Sequence, residues 1–207
     1  MIRLLCLCLF APSLLWAKGE RSGDFDYYVL SLSWSPNWCV VEGRAKGSPQ
    51  CDQDFGWVLH GLWPQYEQGW PSYCPTVERN PSRAMTQGMA DIMGTSGLAW
   101  HQWKKHGTCA GLSAQNYFDL SREAYEKINR PKILRQIGRE IDVQPSVIKE
   151  AFLEANPKLS KDAIEITCKS GNIQEARICL TKQLDPIACT TKRGSCGMET
   201  YDLPPIR

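Results

Sequence analysis

The sequence predicts an α+β fold: one domain in which a central, largely antiparallel sheet is flanked by helices and stapled by four disulfides. Three observations lead there. Segments of strand character open and close the chain, with helical segments between them, an order that suits α+β architecture. The 207 residues, 43% of them hydrophobic, suffice for a single globular domain with a real core. Eight cysteines follow an N-terminal leader, and an even count in an exported chain argues for four bridges.

Taken in order, Met1 to Ala17 has the shape of a secretory signal: Arg3 in a short basic region, an apolar run from Leu4 to Leu15, and Ala17 as the cleavage residue. The run is too short to span a bilayer. The expected mature domain therefore covers 18–207, soluble, free of the membrane and secreted or periplasmic. Gly23-Asp24 leads into Phe25 to Trp34, in whose second half β-branched and aromatic residues alternate with polar ones, and this predicts a strand. Pro36, the Gly43 to Pro49 stretch and Cys51 make a loop that a Cys39–Cys51 bridge can close. Gly56 to Leu62 is a second strand, with His60 near its end. From Pro64 to Pro81 the chain is rich in Pro, Gly, Tyr and Trp without periodicity, as in an ordered aromatic loop.

Helices follow. Ser96 is the expected cap of one that runs to Gly107, and Ser113 caps a second whose Tyr117, Leu120, Ala124 and Ile128 form an apolar stripe. Pro131 to Ile137 and Ser146 to Ala155 predict two short helices. Ala163 to Cys168 and Gln174 to Leu180 then read as strands around a Ser170-Gly171-Asn172 turn.

Removal of the leader takes away Cys6 and Cys8 and leaves Cys39, Cys51, Cys74, Cys109, Cys168, Cys179, Cys189 and Cys196. Spacing alone leaves their pairing open. No Cys-x-x-Cys pair occurs, which argues against a zinc ribbon or a redox motif. The formal net charge of +2 excludes a polycationic nucleic-acid coat but not a local basic cleft.

The chain has three histidines, all in its two densest aromatic stretches. One stretch is Trp57-Val-Leu-His-Gly-Leu-Trp-Pro64. The other, Trp100-His-Gln-Trp-Lys-Lys-His-Gly-Thr-Cys109, is read as a helix whose His101, Gln102, Lys105 and His106 share an arc of about 140°. Trp100 and Trp103 fall opposite and are expected to be core. Two imidazoles that titrate near neutrality can serve as one general base and one general acid. Cleavage of RNA needs that pair, with cations to stabilise the charged phosphorane. Lys105 and His101 qualify, and the scheme requires no metal and no cofactor. His101 and His106 are five residues apart, unlike the four of the helical zinc motif. Trp63 is placed to stack on a base.

At these residues the chain resembles the ribonuclease T2 family. His60-Gly-Leu-Trp-Pro64 and His101-Gln-Trp-Lys-Lys-His-Gly-Thr-Cys109 are similar to its two active-site segments. The likeness extends to Gly23-Asp-Phe-Asp26, Tyr28-Val-Leu30 and Leu32-Ser-Trp34, and to Glu175-Ala-Arg-Ile-Cys-Leu180. The resemblance implies a metal-independent endoribonuclease that acts on single-stranded RNA and not DNA, giving 2′,3′-cyclic phosphate ends and then 3′-phosphates. His60 matches the general acid, His106 the general base, His101 and Lys105 the phosphate-holding residues and Trp63 the base site. Gln65 and Tyr66 follow it as further substrate contacts. Implied bridges are Cys39–Cys51, Cys74–Cys109, Cys168–Cys196 and Cys179–Cys189. The family's pattern has glutamate where this chain has Gln102, so a second expectation is a catalytically weak or silent binder on the same fold. Glutamine supplies neither charge nor proton, and the loss of a carboxylate predicts lower titration of His106 or His101. A monomer is the default expectation.

Overall fold

The computed structural model describes residues 20–190 and 196–206. The leader Met1 to Ala17 lies outside them. In chain order the main elements are β1 (Tyr27–Trp34), α1 (Ser35–Trp38), β2 (Trp57–Gln65), α2 (Arg83–Gln87), α3 (Ala90–Met93), α4 (Ser96–Lys105), α5 (Ala114–Lys127), β3 (Ile141–Val143), α6 (Pro145–Ala155), β4 (Ile164–Lys169), β5 (Asn172–Leu180) and β6 (Tyr201–Leu203). The strands form one mixed sheet in which β2 and β1, β1 and β5, β4 and β5, and β3 and β6 pair antiparallel. Only the β5–β6 contact, through Asn172 and Asp202, is parallel.

Strand parity gives the sheet two unlike faces. Tyr28, Leu30, Leu32 and Trp34 of β1 point into the main core, joined by Ala176, Ile178 and Leu180 of β5 and by Trp103, Tyr117, Phe118, Ile148 and Phe152 of the helices. Each large aliphatic or phenylalanine side chain among these, fully buried, contributes roughly 1.5–3 kcal/mol. Tyr27 and Val29 point the other way and meet Cys179 in a small second cluster. That second face is the floor of a cleft.

Helix α5 is tied to β2 by the Tyr117 hydroxyl, which donates to the Leu62 carbonyl at 2.9 Å. Bridges join Cys39 to Cys51, Cys74 to Cys109, Cys168 to Cys196 and Cys179 to Cys189.

Several expected boundaries move. Thr95, not Ser96, caps α4, its hydroxyl accepting from the Leu98 amide at 3.1 Å. β2 runs on through Pro64 to Gln65, tolerated because β2 is an edge strand and a proline there forfeits no interior ladder bond. Pro131 to Ile137 forms a 3₁₀ turn over Lys132–Gln136. The tighter 3₁₀ geometry is common in short pieces of this kind, and this one has no side-chain cap.

Trp100 is a correction of substance. It is 38% exposed, while Ala99, Gln102 and Trp103 are buried. The buried side of α4 thus centres between Gln102 and Trp103, and it takes in half of the expected polar arc.

Candidate active site

Two walls meet over the second face of the sheet. One is β2, which carries His60, Trp63 and Gln65; the other is α4 with its cap residue His106. The register of β1 with β2 slips by one, so that Ser31 faces Gly61 and Leu32 faces Leu59. His60 is the extra residue. Such a bulge re-aims the side chain, and it sets His60, Gly61, Trp63 and Gln65 toward the cleft while Leu59 and Leu62 stay in the core.

The cleft has a volume of about 360 Å³, and His60, Trp63, Gln65, His101, Gln102, Lys105 and His106 all line it. Trp63 joins the two walls. Its ring centroid lies 5.2 Å from that of His106, nearly parallel, and 5.2 Å from that of His60, edge-on. Its indole N–H donates to Gln102 Oε1 at 2.8 Å. Because that donor needs an oxygen, the amide orientation of Gln102 is fixed, and its NH₂ has no acceptor among the described residues. Gly61 makes this closeness possible: a Cβ there would collide with the Gln102 amide and the Trp63 indole.

His106 leaves helical geometry at φ −121° as the cap of α4 and is buried. Burial, then the charges of Lys105, His60 and His101, pull its imidazole down to about 3. Its Nδ1 has no hydrogen-bond partner among the described residues, so a second ring proton there would have no acceptor. His101 is exposed at the rim and is lowered too, by partial burial and then by Lys105, His60 and Lys104.

Lys105 is half-buried, and its carbonyl accepts from the Tyr73 amide at 2.9 Å. With the Cys74–Cys109 bridge, this bond fastens the aromatic loop to the end of α4. Tyr66 does not reach the cleft. One residue past Gln65, it packs against the main core instead.

Sequence reasoning gave no role to Trp70 and Arg177, which line the cleft, or to Glu175, which is bonded to His60. Trp70, exposed, comes from the aromatic loop; Glu175 and Arg177 come from β5. Glu175 is only 1% exposed. Its Oε1 accepts from His60 Nδ1, and its Oε2 accepts from Arg177 Nε at 2.8 Å and from an Arg177 NH₂ group at 2.6 Å. Burial pushes this carboxyl up, but the His60 and Arg177 contacts more than offset it and hold the acid at about 2. The available signal was a pair of opposite charges two apart in one strand, which strand parity sets on one face.

The family model for the ribonuclease T2 family matches residues 25–189, a span that takes in all of these residues. The chain belongs to the ribonuclease T2 family. A ribonuclease of Aeromonas hydrophila is 34% identical over 96% of this chain and 95% of its own length. Human ribonuclease T2 is 26% identical over 91% of this chain and 80% of its own. Among solved structures, an RNase-related protein from Calystegia sepium superposes with a TM-score of 0.70 at 22% identity, covering 88% of this chain and 98% of that one. RNase NT, solved with 5′-AMP, gives 0.69 at 24% identity over 88% and 99%. These two share the fold, and the sequence relatives set the chain among T2-type endoribonucleases.

Proposed function

We propose that this T2-type enzyme cleaves single-stranded RNA without a metal, by transesterification to a 2′,3′-cyclic phosphate that is then hydrolysed to a 3′-phosphate. The observation that carries the reading is the convergence of His60 and His106 on one cleft, each 5.2 Å from the ring of Trp63.

In the first step His106 takes the 2′-hydroxyl proton as the 2′-oxygen bonds to phosphorus. The bond from phosphorus to the 5′-oxygen breaks, and His60 protonates the departing oxygen. In the second, His60 takes a proton from water as the water oxygen bonds to phosphorus. The bond from phosphorus to the 2′-oxygen breaks, and His106 returns its proton to that oxygen, so both rings end as they began. A base held neutral down to about pH 3 suits work at mildly acidic pH. Lys105, the His101 ring N–H and the free Gln102 NH₂ stabilise the equatorial oxygens. Trp63 and Gln65 on the β2 wall, with Trp70 at the rim, contact a base. DNA lacks the nucleophile and is not a substrate.

We read Met1 to Ala17 as a secretory leader and the mature chain as a monomeric secreted or periplasmic protein. Four disulfides support an oxidising compartment.

The test is incubation of the disulfide-bonded protein with RNA and with DNA in excess EDTA. Cleavage of RNA alone, with cyclic ends, lost in His106→Ala and in His60→Ala, is the expected result. A folded protein that binds RNA without cleaving it overturns the reading, and so does activity that depends on the chelated metal.

A further inference from the structure

We propose that Glu175, clamped by Arg177, is a positioning residue that holds His60 with its Nδ1–H turned away from the cleft and its Nε2 proton directed at the leaving oxygen. The proposal rests on His60 as the general acid. Glu175 sits mid-strand in β5, two strands away from β2. For His60 to reach it, the ring must lie over β1, and the residues of β1 at that point are small. Ser31 pairs with Gly61 and with Arg177, and Ser33 pairs with Val58 and with Glu175. A larger side chain at either position would stand between the imidazole and the carboxylate. The bulge at His60 adds the reach that regular alternation would not.

A buried carboxylate is costly unless its lone pairs are filled, and here the filling is divided. Oε2 is spent on two bonds from Arg177, which leaves Oε1 for His60, with the Ser33 hydroxyl a long 3.4 Å away. An ionised carboxylate only accepts, so Nδ1 must carry a hydrogen and the other ring nitrogen becomes the one that exchanges a proton. Groups that face His60 from α4 are basic: His101, Lys105 and His106. Glu165 of β4 lines the same cleft, but the carboxylate bonded to the His60 ring is that of Glu175. Arg177 in turn lies 5.3 Å over the Trp63 ring, which couples the clamp to the ring that both histidines contact.

A residue that acts only through the general acid matters in proportion to the need for protonation. Two substrates of the same base separate the cases: a dinucleoside phosphate, whose alkoxide must be protonated to leave, and a nucleoside 3′-(4-nitrophenyl phosphate), whose phenolate leaves unaided. Glu175→Gln and Glu175→Ala should lower kcat/KM on the dinucleotide by about 10- to 100-fold, and on the aryl ester by roughly threefold or less. His60→Ala should show the same selectivity more strongly. Equal losses on both substrates for the Glu175 variants, with His60→Ala still selective, would make Glu175 a structural residue and overturn the proposal. Equal losses for His60→Ala would overturn its role as the acid, and this inference with it. Should both variants misfold, nitrogen NMR of the wild-type ring decides: the neutral form must carry its proton on Nδ1, and a neutral ring protonated on Nε2 refutes the positioning.

Discussion

At position 102 an amide stands where the family resemblance places a carboxylate, and the fold has given that amide a partner in the Trp63 indole. Gln102 and His106 are four apart, hence neighbours on one side of α4. Gln102→Glu keeps an oxygen for the indole and adds a negative charge beside an imidazole that is now held near 3. The charge favours the imidazolium, so the His106 pKa rises, and the acid limb of kcat/KM moves to higher pH by about one unit or more. A pH–rate profile that superposes on the wild type would refute this. Gly61 is a second position where one atom decides. In Gly61→Ala the added Cβ must displace the Gln102 amide or the Trp63 ring, and overpacking of this kind typically costs about 1–3 kcal/mol. We expect a lower melting temperature together with an activity loss that Gly88→Ala, where the nearest atoms to a new Cβ are 3.4 Å away, does not share.

Helix α4 works as a lever because both ends are fixed: Thr95 caps the first turn, and the Cys74–Cys109 bridge closes the chain just past the last. Removing that bridge as Cys74→Ser/Cys109→Ser opens a 35-residue loop and should cost about 4 kcal/mol by chain entropy. The aromatic loop would then be held to α4 by hydrogen bonds, such as those of the Tyr73 amide to Lys105 and the Trp103 indole to Asn80, so KM for RNA should rise more than kcat falls; denaturant unfolding and steady-state kinetics measure the two. An unchanged KM would mean that the loop is positioned without the bridge. How legible these elements were differs by type. Ser113 was read directly as the cap of α5, whose hydroxyl accepts from the Asn116 amide, because a cap is a local event. β1 was visible in the alternation of its second half, and β5 in its place beside the Ser170-Gly171-Asn172 turn. The burial of α4 was not: a wheel places Trp100 and Trp103 together, but which side is covered depends on β2 and on the aromatic loop, both distant in sequence. Glu175 and Arg177 stayed unassigned for the same reason, since their chemistry exists only beside a histidine 115 residues away.

For the whole molecule, the two groups that the cleft perturbs most strongly pull stability in one direction with pH. His106 titrates near 3 in the folded chain against an ordinary 6.5, so between those values the unfolded chain binds a proton that the folded one refuses, and stability falls as pH falls. Glu175 titrates near 2 against an ordinary 4.5; its ionised form is favoured by folding, and that stabilisation is lost as pH drops from 4.5 toward 2. The windows overlap, but from 6.5 to 4.5 the histidine acts without the glutamate. Melting temperature should therefore decline across that upper range in the wild type, and the slope should be shallower in His106→Gln, which has no proton to gain. Below 4.5 both proteins should lose stability as Glu175 is forced to protonate, the wild type still the more steeply until pH falls to about 3. Parallel curves between 6.5 and 4.5 would show that burial of His106 does not exclude its charged form. The cause of this acid lability is also what keeps His106 unprotonated at pH 5, as the base role proposed for it requires. The four disulfides matter here in a way that no single element reveals: by limiting the entropy of the unfolded chain, they offset the stability given up to hold an uncharged imidazole in a cationic cleft.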